Sequence, residues 1–178
     1  MIRRKAATVA ITVGALLSWL PSAHAQSLTL TDPAGDTSRS GLDITTVKVR
    51  NRDHAVIAKV SFVDAVRGDL IVSLTARHGP GVRIISKHRP QAGDSTFLLP
   101  GSFAKAGARL PCRGLTGAWD DDLETVKVRM PSRCLAEGNY GAIRFAVLTE
   151  PAKGGGDVDF APERANGDIS HSAWIPRG

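Results

Sequence analysis

Three aspartates near the start of the chain have the residue type and spacing of a calcium site. Asp32 and Asp36 enclose a turn-forming segment that contains Gly35, and Asp43 follows at the entrance of an alternating apolar stretch. Calcium binds about six to eight oxygen atoms from carboxylates, backbone carbonyls and water, and a glycine lets the backbone curl. Asp-Pro and Gly-Asp pairs also form ordinary turns, so the residues alone leave a calcium site and a plain turn as alternatives.

The residues after Asp43 predict a local irregularity. Val47 and Val49 define one apolar face of a strand, whereas Ile44 falls out of step with them. Because strand side chains alternate strictly between two faces, we expect a kink close to Ile44.

Aromatic residues suggest a second kind of site, a carbohydrate-binding surface. Flat rings can stack on sugar rings, and the candidates are Trp119, Tyr140 and Trp174. Buried aromatic residues are common in any core, so this interpretation remains the alternative to calcium binding.

A serine hydrolase is the less favoured enzymatic alternative. Gly93-Asp94-Ser95 and the later Asp168-Ile-Ser-His171 superficially resemble the GDSL hydrolases, which use a G-D-S serine and a D-x-x-H pair. That family has an α/β fold with its serine near the mature N-terminus, whereas this chain has no helical apolar period. The chain also lacks a G-x-S-x-G nucleophile motif. We therefore expect a protein without catalytic function.

The first 25 residues have the three parts of a secretory signal peptide. A basic head at residues 3–5 precedes an apolar run over residues 6–20, and Ala23-His24-Ala25 forms a small-residue cleavage site. The apolar run is shorter than the stretch of about 20 residues that spans a membrane, and no later segment is long and apolar enough. We expect a secreted protein that starts at Gln26 and has no membrane span after cleavage.

The export prediction changes how the cysteines and the charge are interpreted. Cys112 and Cys134 are the two cysteines of the chain, and an even pair in an exported protein predicts a disulfide. Without residues 1–25 the chain has 20 basic and 17 acidic side chains, so its net charge falls from +6 to +3. The basic residues are scattered singly along the sequence, so we expect no nucleic-acid partner.

Short alternating segments separated by turn formers predict the fold. The clearest segments are 56–62, 70–76, 126–130 and 143–147, in which apolar residues, many of them β-branched, occupy every second position. No linker divides the chain. Residues 26–178 are therefore expected to form a single all-β domain, an antiparallel β-sandwich of about eight or nine strands.

The opening pattern D-P-x-G-D, followed by a short spacer and D-I, resembles the start of calcium-binding β-sandwich modules. This broad group includes DOMON-like domains and the C-terminal module of glucodextranase-type enzymes, and the similarity covers about residues 31–62. The resemblance implies calcium as the cofactor, with Asp32, Asp36 and Asp43 as ligands. Asp159 or Asp168 could complete the ligand set.

The middle and end of the chain resemble small uncharacterised secreted actinobacterial proteins. Residues 112–135 and 173–178 carry this similarity. The group implies a β-sandwich fold and no particular activity. We expect a binding or structural role at the cell surface or outside the cell, with a polysaccharide or a protein as the extracellular ligand.

Overall fold

The computed structural model describes residues 26–101, 103, 107–156 and 158–178, which form an antiparallel β-sandwich. The all-β prediction is therefore confirmed, with ten strands where eight or nine were expected. The strands are β1 (Gln26–Thr31), β2 (Ile44–Arg52), β3 (Ala55–Phe62), β4 (Gly68–Ala76), β5 (Val82–His88), β6 (Ser95–Pro100), β7 (Thr116–Asp120), β8 (Thr125–Pro131), β9 (Ile143–Pro151) and β10 (Asp159–Ala161).

Each layer of the sandwich is a five-stranded sheet. The first sheet has the order β1-β2-β3-β8-β7, and the second has the order β10-β9-β4-β5-β6. Near the C-terminus, Ile175 forms an isolated antiparallel bridge with Ile143. In the second sheet, the short β10 is an edge strand that pairs with the long β9.

The core consists of the inward-facing residues of both sheets. Val47 and Val49 of β2, Val126 of β8 and Phe145 of β9 are completely or almost completely buried. Their neighbours along each strand face away from the core, as the two-residue period requires. The second sheet is buried on its other face as well, where Ile71, Ile85 and Leu148 form a smaller apolar cluster.

The kink expected at Ile44 is confirmed as a break in the pairing between β2 and β3. The register shifts between Ile44 and Thr46, and Ile44 is fully buried. The extra residue of such a bulge bends the strand and redirects its side chains. The entry of β2 consequently turns toward β10.

A disulfide joins Cys112 to Cys134, as predicted, with their Cα atoms 5.6 Å apart. Cys112 precedes β7, and Cys134 lies in a 3₁₀ turn directly after β8. The bond therefore closes the β7–β8 hairpin at its open end.

The expected signal peptide, residues 1–25, lies outside the described residues. Within the described part of the chain, no helix has the length and apolar character needed to cross a membrane.

Candidate calcium site

Three carboxylates from distant parts of the sequence meet at one end of the sandwich. Asp32, Asp36 and Asp159 each place one carboxylate oxygen within 4.8 Å of the others. Asp32 directly follows β1, Asp36 lies in the loop between β1 and β2, and Asp159 begins β10. The three side chains thus join the two sheets across their common edge.

Backbone pairing at the end of β1 and a glycine turn hold the two loop aspartates in place. The N–H of Asp32 donates to the carbonyl of Thr45 at 3.0 Å, which extends the β1–β2 pairing by one residue. Gly35 then adopts a φ of +85°, in the left-handed region that glycine occupies without steric cost. The chain turns back at this point, and Asp36 faces the same space as Asp32.

Asp43 shapes this loop from inside. Its Oδ2 accepts a hydrogen bond from the N–H of Gly35 at 2.8 Å, and its backbone carbonyl accepts one from Val63 at 2.9 Å. The sequence predicted Asp43 as a calcium ligand, but the compact group of oxygens contains Asp159 where Asp43 was expected. Asp43 contributes its charge to the site and supports the turn between Asp32 and Asp36.

Asp159 is fixed by two backbone hydrogen bonds. Its Oδ2 accepts from the N–H of Ile44 at 2.6 Å, and its Oδ1 accepts from the N–H of Phe160 at 2.7 Å. The bulge at Ile44 presents the first of these donors, so the irregular start of β2 positions the buried carboxylate of β10.

Further hydrogen bonds tie the loop to the second sheet. Ser38 donates to the carbonyl of Val158 through its N–H at 2.8 Å and its hydroxyl at 3.0 Å. The buried hydroxyl of Thr149 in β9 donates to the carbonyl of Leu42 at 2.8 Å. The loop is therefore anchored at its middle and at its end, next to the carboxylate group.

Burial, together with neighbouring negative charges, raises the pKa of three carboxyl groups at this site. Burial, followed by the charges of Asp159 and Asp36, raises the pKa of Asp32 to about 7. Burial also raises the pKa of Asp159 to about 6, although its two backbone hydrogen bonds act in the opposite direction. Glu163 is the fifth carboxylate near the group, and burial and Asp36 raise its pKa as well.

No described lysine or arginine forms an ion pair with any of these five carboxylates. Asp32 Oδ2 and Asp43 Oδ1 are buried and lack a hydrogen-bond donor among the described residues. Buried charges of one sign need a cation or a proton to balance them. The donor set consists only of oxygen, without histidine or cysteine, which fits a hard cation such as calcium and not zinc.

Sequence reasoning named part of this site. Asp32 and Asp36 follow from the D-P-x-G-D pattern, and Asp159 was one of two suggestions for completing it. Asp168, the other suggestion, lies outside the group and accepts a hydrogen bond from the side chain of Asn166 at 2.6 Å. Glu163 was missed, because its approach depends on the path of the chain after β10.

The three aromatic residues considered for sugar binding are not brought to one surface. Tyr140 is fully buried, and its hydroxyl donates to Asn51 Oδ1 at 3.0 Å. Trp119 is half-buried and stacks on His88, with its Nε1 donating to Ser86 Oγ at 3.0 Å. Trp174 is the exposed ring of the three. The buried Tyr140 cannot stack on a sugar, and the rings form no common platform.

The guanidinium groups of Arg77 and Arg144 lie 5.1 and 5.2 Å from the ring centroid of Trp174. Cations over a ring interact with the same face that a sugar would use. Trp174 is therefore already engaged by two side chains of the protein.

The serine and histidine of the hydrolase alternative lie far apart in the sheet. Ser95 begins β6, at one edge of the second sheet. His171 lies in the C-terminal segment beside β9, where burial and the charges of Arg144 and Arg164 lower its pKa. Strands β4 and β5 separate the two positions, so the structure does not bring them together.

The comparisons with known protein families and with curated protein sequences gave no match. No protein-family model matches the chain, and no curated protein sequence matches it significantly.

Proposed function

We propose that this protein is a secreted, non-catalytic β-sandwich module that is stabilised by one calcium ion. The observation that carries the proposal is the convergence of Asp32, Asp36 and Asp159 within 4.8 Å, from the loop after β1 and from β10. The signal-like N-terminus and the disulfide support an extracellular location. Its role there is binding or structural, toward a polysaccharide or a protein.

Calcium would act as a bridge between the two sheets. The carboxylates come from opposite layers, so an ion bound to all three connects the N-terminal loop to the C-terminal part of the chain. The ion would also balance the buried negative charges of Asp32 and Asp159, whose pKa is raised by burial and by neighbouring carboxylates. Both effects favour the folded state, because the unfolded chain does not hold these residues together.

The test is the thermal unfolding midpoint of the oxidised protein with calcium and after metal removal. A ligand at about 100 times its dissociation constant stabilises the folded state by about 2.7 kcal/mol. For a domain of this size, we expect the midpoint to rise by about 5 to 10 °C. Magnesium should give a smaller rise, since it requires a stricter octahedral geometry.

Variants assign the effect to the site. Asp36→Asn and Asp159→Asn should each remove most of the calcium-dependent rise, because an amide keeps the size of the side chain but loses the charge. Asp53→Asn is the matched control, since Asp53 lies in the β2–β3 turn at the opposite end of the sandwich. An unchanged midpoint of the unaltered protein at millimolar calcium would reject the proposal.

A further inference from the structure

The outer face of the first sheet carries a concentrated positive charge. Strand alternation turns every second residue of β2, β3 and β8 away from the core, and pairing aligns these residues across the sheet. Lys48 lies opposite Lys59, and Lys59 lies opposite Lys127. In the adjacent row, Arg50 and Arg129 flank Ile57. We name this surface the cationic face; its charged members are Lys48, Arg50, Arg52, Lys59, Lys127 and Arg129.

None of these six side chains has an ion pair or a hydrogen bond to any residue that the structure describes. All of them except Arg129 line a groove with a volume of about 490 Å³. Asp120 is the one acidic residue bordering it, and its carboxylate is already used by the N–H of Leu123 at 3.1 Å. The cationic face is thus free to bind an anion.

The arrangement has a cost that folding alone does not explain. Adjacent strands lie about 4.8 Å apart, and like charges placed directly opposite each other destabilise a sheet. Lysines often protect edge strands from pairing with other chains, but β2, β3 and β8 are the three central strands of their sheet. Arrangements that cost stability in this way are typical of functional surfaces.

We propose that the cationic face binds an extended acidic polysaccharide, one that carries carboxylate or sulfate groups. The two rows of cations match a chain with repeated negative charges. The cationic face is bordered by hydroxyl side chains, with Thr29 opposite Lys48, Ser27 opposite Arg50 and Thr116 opposite Arg129. These hydroxyls can exchange hydrogen bonds with the hydroxyl and ring oxygens of a sugar.

Other anionic partners fit the cationic face less well. Single-stranded nucleic acids are held by aromatic rings on which bases stack. The two outward-facing rows carry Ile57 and Ala118 as their apolar members. Trp119 and Leu123 also border the groove, but the indole ring of Trp119 already stacks on Phe62 and His88. Membrane-surface binding requires a broad apolar face beside the charges, and stable protein interfaces are enriched in aromatic residues at their centre. The composition of the cationic face therefore favours a charged glycan.

The experiment measures binding of the oxidised, full domain to heparin and to polygalacturonate, with neutral dextran as the uncharged comparison. The triple variant Lys48→Gln, Lys59→Gln and Lys127→Gln should weaken binding by about tenfold or more at low salt. The slope of log Kd against log salt should fall by up to about 3, because three cationic contacts are lost. The control Arg67→Gln, Lys153→Gln and Arg164→Gln removes the same charge from exposed positions elsewhere and should retain the affinity.

Several outcomes would overturn the proposal. Absence of binding to both acidic polysaccharides at low salt would do so, as would an equal loss in the two triple variants, which would indicate a net-charge effect. Tighter binding to an oligodeoxythymidylate or to phosphatidylglycerol vesicles would assign the cationic face to another class of partner. Loss of binding on metal removal would place the polysaccharide on the calcium site instead. Retained binding in metal-free protein supports the cationic face independently of the proposed calcium function.

Discussion

At the scale of single residues, the calcium proposal assigns different roles to the aspartates. Asp43 supports the turn by accepting the N–H of Gly35, whereas Asp32 and Asp36 face Asp159. The local pattern predicts Asp32, Asp36 and Asp43, because all three lie in the segment between β1 and β2. It does not rank Asp159 above Asp168, since the approach of Asp159 depends on a strand pairing more than 100 residues later in the chain.

The raised pKa of Asp32 predicts an unusual pH dependence for the metal-free protein. The carboxyl binds its proton up to about pH 7 in the folded state and up to about pH 3.9 in the unfolded state. Its contribution to stability is therefore complete below pH 4 and is lost as the pH rises to 7. Asp32→Asn should match the unaltered protein near pH 4 and exceed its unfolding midpoint at pH 8.

Calcium should reverse that order at pH 8, because only the ionised carboxylate binds the ion. Unfolding midpoints of both proteins at the two pH values, with and without calcium, check this crossing. A metal-free Asp32→Asn protein that is less stable at pH 8 than the unaltered chain would contradict the raised pKa of Asp32 on which the prediction depends.

At the scale of elements, the alternation of apolar and polar residues predicted the strands that bury one face. It did not predict β7 and β10, whose sequences lack this alternation. β7 reads Thr-Gly-Ala-Trp-Asp and has no β-branched run, so its pairing with β8 was not apparent in the sequence. β10 contains only three residues, too few for a periodic pattern. β10, which the sequence did not predict, also supplies Asp159. The predictions of the fold and of the site were therefore incomplete at the same element.

The disulfide offers a prediction at this scale. The bond closes a loop with a sequence separation of 22 residues around the β7–β8 hairpin, and β7 is an edge strand that pairs only with β8. Replacing Cys112 and Cys134 with alanine should lower the free energy of unfolding by about 3 kcal/mol.

Chemical denaturation of the double variant and of the oxidised protein measures this difference. The calcium-dependent rise in the midpoint should persist in the variant, because the carboxylate group is built from β1, β2 and β10. Loss of that rise together with the disulfide would mean that the hairpin and the site are coupled.

At the scale of the whole molecule, charge is distributed by the fold and not by the sequence order. Along the chain the basic residues are scattered singly, and from this pattern we predicted no nucleic-acid partner. Three antiparallel strands bring Lys48, Lys59 and Lys127 into one row, while the carboxylates gather at the sandwich end. The net charge of +3 for residues 26–178 therefore does not show that the fold gathers the charges into a positive surface and a negative one.

The lysine row should make the protein more stable when salt is added. Removing the repulsion in the triple variant Lys48→Gln, Lys59→Gln and Lys127→Gln should raise the unfolding midpoint at low salt by about 2 to 5 °C. At about 1 M salt the Debye length falls to about 3 Å, so the repulsion is screened and the two midpoints should converge. The control variant at Arg67, Lys153 and Arg164 should show no such gain. Equal unfolding midpoints of the triple variant and the unaltered protein at low salt would mean that the lysine side chains avoid one another. A more stable variant that binds polysaccharide more weakly would show that the protein retains an unfavourable surface for its ligand.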